Sequence, residues 1–300
     1  MRSDVIDHRR SKKKVKKKPK SLSVLLCGGL AGVCAKTCVS PLERVRILAQ
    51  TRPTGGNINP FSLGAEVFAS EGLKGFWRGN GANVLRVFPS RGILFMTNDK
   101  VKEFFKRLDT KGEYHSSLAF ASGSIAGVIA AITTYPLDLT RTRLTSQVGT
   151  KTSIRTTLTN TIRNEGIWAL YRGMGPTTFG AVPYEGIKFG VYDALKERIP
   201  MEWFGSKVAW QLFCGGSAGT AAGVVMYPND TVRRLMQVQI ERGQNRKYKN
   251  MFDCYIKVFR EHGPKRFYRG LGAFLLRAVP NASIQFCMFE VFKGVAGIGN

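Results

Sequence analysis

Uncharged apolar runs alternate with polar connections along the whole chain. Ser116 to Leu137 is one run of 22 residues without a charge, and Val208 to Asn229 is another of the same length. The corresponding first run, Ser21 to Val39, is apolar apart from Lys36. As a helix rising about 1.5 Å per residue, either long run covers a hydrocarbon core of about 30 Å. Each run is followed by a polar connection and then by a less apolar stretch: Gly81 to Thr97, Met174 to Val191, Leu271 to Val291. The pattern predicts two spanning helices per unit and six in all. The second helix of each pair is diluted by Arg86, Arg91, Glu185, Lys188 or Arg277. Ionisable side chains in a spanning segment face a watery cavity or one another rather than lipid.

The alternation carries a repeat. Pro41-Leu-Glu43-Arg-Val-Arg46, Pro136-Leu-Asp138-Leu-Thr-Arg141 and Pro228-Asn-Asp230-Thr-Val-Arg233 share one proline-acid-base string, spaced 95 and 92 residues apart. Thirteen residues before each proline begins a GxxxG pair: Gly28 and Gly32, Gly123 and Gly127, Gly215 and Gly219. These small residues suggest close helix contact in lipid. An aromatic-base-glycine triplet follows in each unit, ending at Gly79, Gly173 and Gly270, and ten residues later comes Pro89, Pro183 or Pro280. Each unit closes on an acid with a lysine three positions on: Asp99 and Lys102, Asp193 and Lys196, Glu290 and Lys293. Features in register three times over mark three tandem units. The expected boundaries are 21–107, 115–198 and 207–296, after a basic tail at 1–20.

A proline inside a spanning helix removes a backbone hydrogen bond and kinks the rod, so three helices kinked at one depth converge on one axis. The acid two residues on and the base five residues on then meet. Across neighbouring helices they form a ring of Glu43 with Arg141, Asp138 with Arg233, and Asp230 with Arg46. Within a single helix, acid and base three apart pair instead; the threefold repetition favours the ring. The six closing residues offer a second ring at the other end. With each pair worth about 1–4 kcal/mol at intermediate dielectric, breaking one ring while forming the other is on the scale of the roughly 5.5 kcal/mol that inverts a two-state equilibrium. Two rings at opposite ends of one cavity describe alternating access.

The symmetry fails where an asymmetric substrate would sit. Three residues before the second proline of each unit stand Arg86, Gly180 and Arg277, and five before the first proline stand Lys36, Ala131 and Gly223. Tyr184 offers a ring beside the glycine gap. Arginine pairs bidentately with phosphate, and a tyrosine near a gap suits a purine face, although packing alone also accounts for it.

Net charge is +26, and the first twenty residues supply +8 of it with ten bases and two acids. Such a run is a solvated tail drawn to anionic surfaces. The remaining +18 serves anionic lipid, an anionic solute or both; binding to nucleic-acid phosphates as a soluble basic scaffold is the reading from another class. The six cysteines lack metal-type spacing, the three histidines are scattered, and no nucleophile-base pair or phosphate loop is present. Neither an enzyme, nor a metal, nor a cofactor is expected.

The tripled motif with its aromatic-base-glycine sequel resembles the mitochondrial carrier family from about Ser21 to Lys293. The resemblance implies an all-α membrane protein: six transmembrane helices in three tandem two-helix repeats with pseudo-threefold symmetry and short matrix helices, a monomer in the mitochondrial inner membrane, in contact with cardiolipin and not with nucleic acid. It makes the proline-side ring the matrix gate and the closing residues the cytoplasmic gate. Gln50 and Gln237 match the family's bracing glutamine, where Thr145 does not. Substrate contacts carried over are Arg86, Gly180 with Ala181, and Arg277, and Lys36 and Tyr184 match positions used by adenine nucleotide carriers. Asn98 and His262 depart from the pattern, standing where an aromatic residue and an acid are usual. Ala35 to Leu48, Gly79 to Arg86 and Tyr227 to Met236 look like the branch carrying coenzyme A, adenine nucleotides and ATP-Mg/phosphate. The implied function is antiport of coenzyme A or an adenine nucleotide, with ATP-Mg/phosphate or ADP/ATP exchange as the alternatives.

Overall fold

Prolines set the outline of the fold. The protein is described by a computed structural model over residues 19–53, 59–108, 115–150, 152–204, 207–239 and 247–297. Nearly all of the basic tail expected at 1–20 lies outside the described residues. Helix α1 (Pro19–Cys38) ends one residue short of α2 (Ser40–Thr51), and the break falls at Val39 with Pro41 in the first turn beyond it. The same break at Met226 separates α8 (Lys207–Val225) from α9 (Tyr227–Val238). In the middle unit α5 (His115–Ser146) runs unbroken through Pro136. One proline therefore interrupts the rod in two units and only perturbs it in the third.

The second helix of each unit is α4 (Asn80–Leu108), α7 (Met174–Arg198) or α11 (Leu271–Val295), each with its proline inside. Between the members of a pair lie α3 (Pro60–Glu71), α6 (Ile154–Glu165) and α10 (Met251–His262). Asn59, Ser153 and Asn250 cap these short helices by accepting a backbone N–H, and Gly72, Gly166 and Gly263 end them with φ of 68°, 83° and 70°. Packing runs α1 on α4, α4 on α5, α5 on α7, α7 on α8, α8 on α11, and α11 back on α1. The six long rods thus close a ring with no free edge. Under it, Leu63 and Val67 of α3 pack on Val45, Leu48 and Ala49 of α2, and Cys254 and Val258 of α10 pack on Val232 and Leu235 of α9.

Among the described residues, no helix is long and apolar enough to cross a membrane on hydropathy alone. The outward faces are nonetheless apolar, with Ile125, Val128, Ile129 and Ile132 exposed on α5, Leu85 and Phe88 on α4, and Leu276 and Val279 on α11. Arg86 of α4 and Arg277 of α11 turn instead to buried carboxylates, so an average around the whole circumference understates these apolar faces.

The GxxxG expectation is corrected. A methyl group built on Gly32, Gly123, Gly127 or Gly215 meets nothing within 4 Å, and on Gly28 or Gly219 the nearest atom is 3.9 Å away. The space beside these glycines is open, so no neighbouring helix is pressed against them. Close approach is made instead at Gly29 against Phe88 and at Gly223 against Phe274.

The glycines of the three triplets carry the strongest backbone demand. Gly79, Gly173 and Gly270 have φ of 84°, 81° and 81°, a region that costs an L-residue about 1–2 kcal/mol. A methyl group at Gly173 falls 3.0 Å from the Arg233 carbonyl, and one at Gly270 falls 3.0 Å from the Arg46 carbonyl. Each triplet thereby docks the start of a second helix onto the helix that follows the first proline of the next unit. Gly166 has an equally positive φ but open space around it. Gly173→Ala should therefore lower the melting temperature in detergent more than Gly166→Ala; equal losses would show that docking adds nothing to backbone strain.

Candidate functional site

Below the kinks, α2, α5 and α9 bring together the three acids and bases of the repeated string. Arg46 Nη2 lies 2.7 Å from Asp230 Oδ2, Arg233 Nη2 lies 2.6 Å from Asp138 Oδ2, and Arg141 Nη2 lies 3.5 Å from Glu43 Oε1. All three pairs join neighbouring units. The intrahelical alternative occurs between Arg46 and Glu43 at 4.0 Å. The carboxylates of Glu43 and Asp138 are almost fully buried, where an unpaired charge is costly.

Gln50 donates to Asp230 Oδ2 at 3.1 Å, and Gln237 donates to Asp138 Oδ2 at 3.1 Å, so each glutamine underlies one ion pair. Thr145 donates instead to the Arg141 and Arg78 carbonyls. The Glu43–Arg141 pair is thus the longest of the three and has no glutamine beneath it.

Several partners of this ring had only a weak sequence signal. The Arg46 guanidinium lies over Tyr227 and Phe274, 5.1 and 4.6 Å from their centroids, and Arg233 lies 6.0 Å over Tyr135. A tyrosine immediately before the proline in two of three units was the available clue. Arg234 approaches Asp230 at 4.0 Å and donates to Thr142 and Gln237.

The residues expected to contact substrate divide into two groups. Gly180, Ala181 and Tyr184 line a cavity of about 400 Å³ together with Asn229, Arg233 and Phe274. Asn229 fills the space beside Gly180, and the Tyr184 hydroxyl reaches the Gly219 carbonyl at 3.5 Å. Arg277 and Arg86 lie outside this lining. Arg277 Nη1 sits 2.6 Å from Glu43 Oε2, and Arg86 Nη1 sits 3.9 Å from Asp138 Oδ1. Lys36 is half-buried and has no ion pair among the described residues. Three carboxylates are therefore shared by six arginines, namely 46, 86, 141, 233, 234 and 277. The focus carries a surplus of positive charge at low dielectric.

The second ring is not assembled in this conformation. Asp99, Lys102, Asp193, Lys196 and Glu290 are exposed, and among these six residues the ion pair formed joins Lys293 to Glu290 within α11 at 3.5 Å. Among the described residues no acid, histidine and cysteine cluster could hold a metal.

A further layer under the short helices was not expected from the sequence. Arg44 is buried and bound by both Glu71 oxygens at 2.8 and 2.9 Å, with Gly75 and Gln147 carbonyls completing its contacts. Arg143 does the same with Glu165 and the Gln239 carbonyl. Burial by itself would raise the Glu71 carboxyl, but hydrogen bonds from Arg44 and the Gly149 amide and the Arg44 and Arg78 charges bring it down to about 2. A depressed carboxyl contributes stability above its unfolded value and loses it as pH falls toward the folded one. The melting-temperature advantage of the protein over Glu71→Gln should shrink between about pH 4.5 and pH 2, and an advantage unchanged across that window would contradict the assignment.

The interhelical pairing itself has a direct check. Asp138→Arg and Arg233→Asp should each destabilise the protein, and the double swap should recover part of the loss, with a coupling of about 0.5–3 kcal/mol. Strictly additive losses would exclude the pair.

Comparison with known proteins supplies the wider context. The sequence model of the family described as "Mitochondrial carrier protein" matches residues 17–109, 112–202 and 205–298. The chain is 35% identical over 298 residues to Mitochondrial carrier protein CoAc1 of Arabidopsis thaliana, covering 92% of this chain and 90% of that one. It is 33% identical over 311 residues to Mitochondrial adenine nucleotide transporter ADNT1 of the same plant, covering 91% and 87%. To the ADP/ATP translocase of Thermothelomyces thermophilus it is 33% identical over 301 residues, covering 91% and 94%.

Proposed function

We propose a substrate class for this chain from one premise: it belongs to the mitochondrial carrier protein family, whose members are multi-pass transporters of the mitochondrial inner membrane and not enzymes. The reading is exchange of coenzyme A or an adenine nucleotide by alternating access. It is carried by the surplus of guanidinium groups at the focus of the bundle, where six arginines share three carboxylates. A solute bearing three or four phosphate charges neutralises that surplus, whereas a dicarboxylate neutralises less of it. Relatives whose names specify an adenine nucleotide or ADP/ATP as cargo lie at similar identity to the one named CoAc1, so ATP-Mg/phosphate or ADP/ATP exchange stands as the alternative within the same class.

In the proposed mechanism the ring of Glu43, Arg46, Asp138, Arg141, Asp230 and Arg233 is the matrix gate, closed here, braced by Gln50 and Gln237. The second ring is the cytoplasmic gate, open here, and the cavity faces the cytoplasm. Substrate phosphates bind Arg86, Arg277 and Lys36 while the base lies toward Gly180, Ala181 and Tyr184. Arg277 and Arg86 pair with Glu43 and Asp138. Phosphate therefore competes with the gate carboxylates for the same guanidiniums, and its arrival loosens the gate beneath it. Cardiolipin contact and a monomeric state complete the proposal.

Reconstituted in liposomes, the protein should exchange labelled coenzyme A or adenine nucleotide. Arg277→Ala should lower the rate at least tenfold, the factor that about 1.4 kcal/mol produces, because a charge-assisted hydrogen bond is worth about 1.5–3 kcal/mol. Robust malate uptake without nucleotide or coenzyme A uptake would refute the substrate class.

A further inference from the structure

The three units solve one packing problem with arginines from three different places. Arg44 stands three residues after its proline, Arg143 seven after, and Arg266 four before Gly270. All three are buried, with exposures of 1%, 4% and 4%. Each donates through Nη2 to the carbonyl eleven residues past the proline of the next unit: Arg44 to Gln147 at 2.8 Å, Arg143 to Gln239 at 3.2 Å, and Arg266 to Arg52 at 3.0 Å. In the first two units a glutamate just before the helix-ending glycine neutralises the group, Glu71 for Arg44 and Glu165 for Arg143. Those glutamates also hold the arginine of the triplet, Arg78 or Arg172.

The third unit has His262 at that position and no carboxylate. Arg266 Nη1 and Arg269 Nη1 are both buried with no hydrogen-bond partner. Burial and the neighbouring Arg269 charge pull the Arg266 guanidinium down to about 10. Beside Arg266 opens a cavity of about 370 Å³ lined by Arg266, His262, Lys247, Tyr248, Gln239 and Thr51. The nearby Glu261 carboxylate is taken by Lys247 at 3.5 Å and His262 at 3.4 Å and pairs with neither arginine. An orphaned guanidinium donor of Arg266 thus lines a cavity where the other units hold a carboxylate, and the Arg269 charge lies close enough to act on it.

We propose that this cavity binds a phosphate anion, either inorganic phosphate or the phosphodiester of an acidic lipid, which replaces the missing carboxylate and ties the third unit to the first. The site lies under α10, away from the central cavity, and is independent of which solute is transported. Occupancy strengthens the Arg266 contact to Arg52, a contact that joins the third unit to the first.

The test uses the full chain in detergent at fixed ionic strength, with melting temperature read against inorganic phosphate or, separately, against cardiolipin in place of phosphatidylcholine. At least one of the two should stabilise the protein. A response to inorganic phosphate identifies the free anion as the ligand, and a response to cardiolipin alone identifies the lipid. His262→Glu supplies the carboxylate, so it should raise the melting temperature without ligand and abolish the response. Arg269→Gln removes one orphaned donor and should weaken the response. Arg277→Ala should retain it, which separates this site from the central one. Absence of any response, or a response of equal size in His262→Glu and Arg269→Gln, would overturn the proposal.

Discussion

The contact between a buried carboxylate and a guanidinium of the neighbouring unit, made three times below the prolines, is the constraint on which the bundle depends. Without it, Glu43 and Asp138 would be uncompensated charges in a narrow, dry end of the fold, and removing one partner of such a pair costs about 3–5 kcal/mol. With it, three helices are fixed at one point. The glutamines, the tyrosine rings over Arg46 and Arg233, and the glycines that press on the carbonyls of those bases all converge on the same contact.

The ring is threefold in outline and uneven in strength. Tyr135 and Tyr227 reach across to the Arg172 and Arg269 carbonyls, while the first unit has Ser40, which reaches the Phe76 carbonyl. The pair without a glutamine, Glu43 with Arg141, is also the pair whose carboxylate accepts Arg277. Weakness and surplus charge coincide at the joint between the first and second units. A ligand that draws Arg277 away acts on the joint held by the fewest other contacts.

Much of this was legible in the sequence because it depends on spacing along one helix. Acid and base at fixed offsets from a proline, repeated three times, specify the ring, and the structure brings the expected partners together. What spacing could not reveal is where a long side chain ends. Arg86 and Arg277 share a register with Gly180, yet their guanidiniums bend to the carboxylates and leave the glycine side lined by Asn229 and Phe274. The GxxxG pairs misled because a small residue permits close contact without creating it, and the space beside those glycines is open. The closing acids and lysines do not meet across units among the described residues, and a sequence does not say which of two conformations is populated. Arg44, Arg143 and Arg266 escaped notice because their equivalence is spatial: no common offset from a motif unites them.

On the proposed reading, the surplus of arginine bears on why the protein would exchange solutes instead of releasing them one way. Arg86 and Arg277 lie on Asp138 and Glu43, which adds ion pairs to the ring, and on the proposed reading these pairs deepen the closed state. A ligand with equal affinity for both conformations shifts nothing, and only differential interaction moves the equilibrium. On the proposed reading the phosphates supply that difference by taking the two arginines from the ring, so opening requires a bound anion. Once the anion departs, the arginines return to whichever carboxylates are near, and the protein waits for another polyanion before it turns again. Obligatory exchange then follows from the count of charges at one point in the bundle, with no separate coupling device.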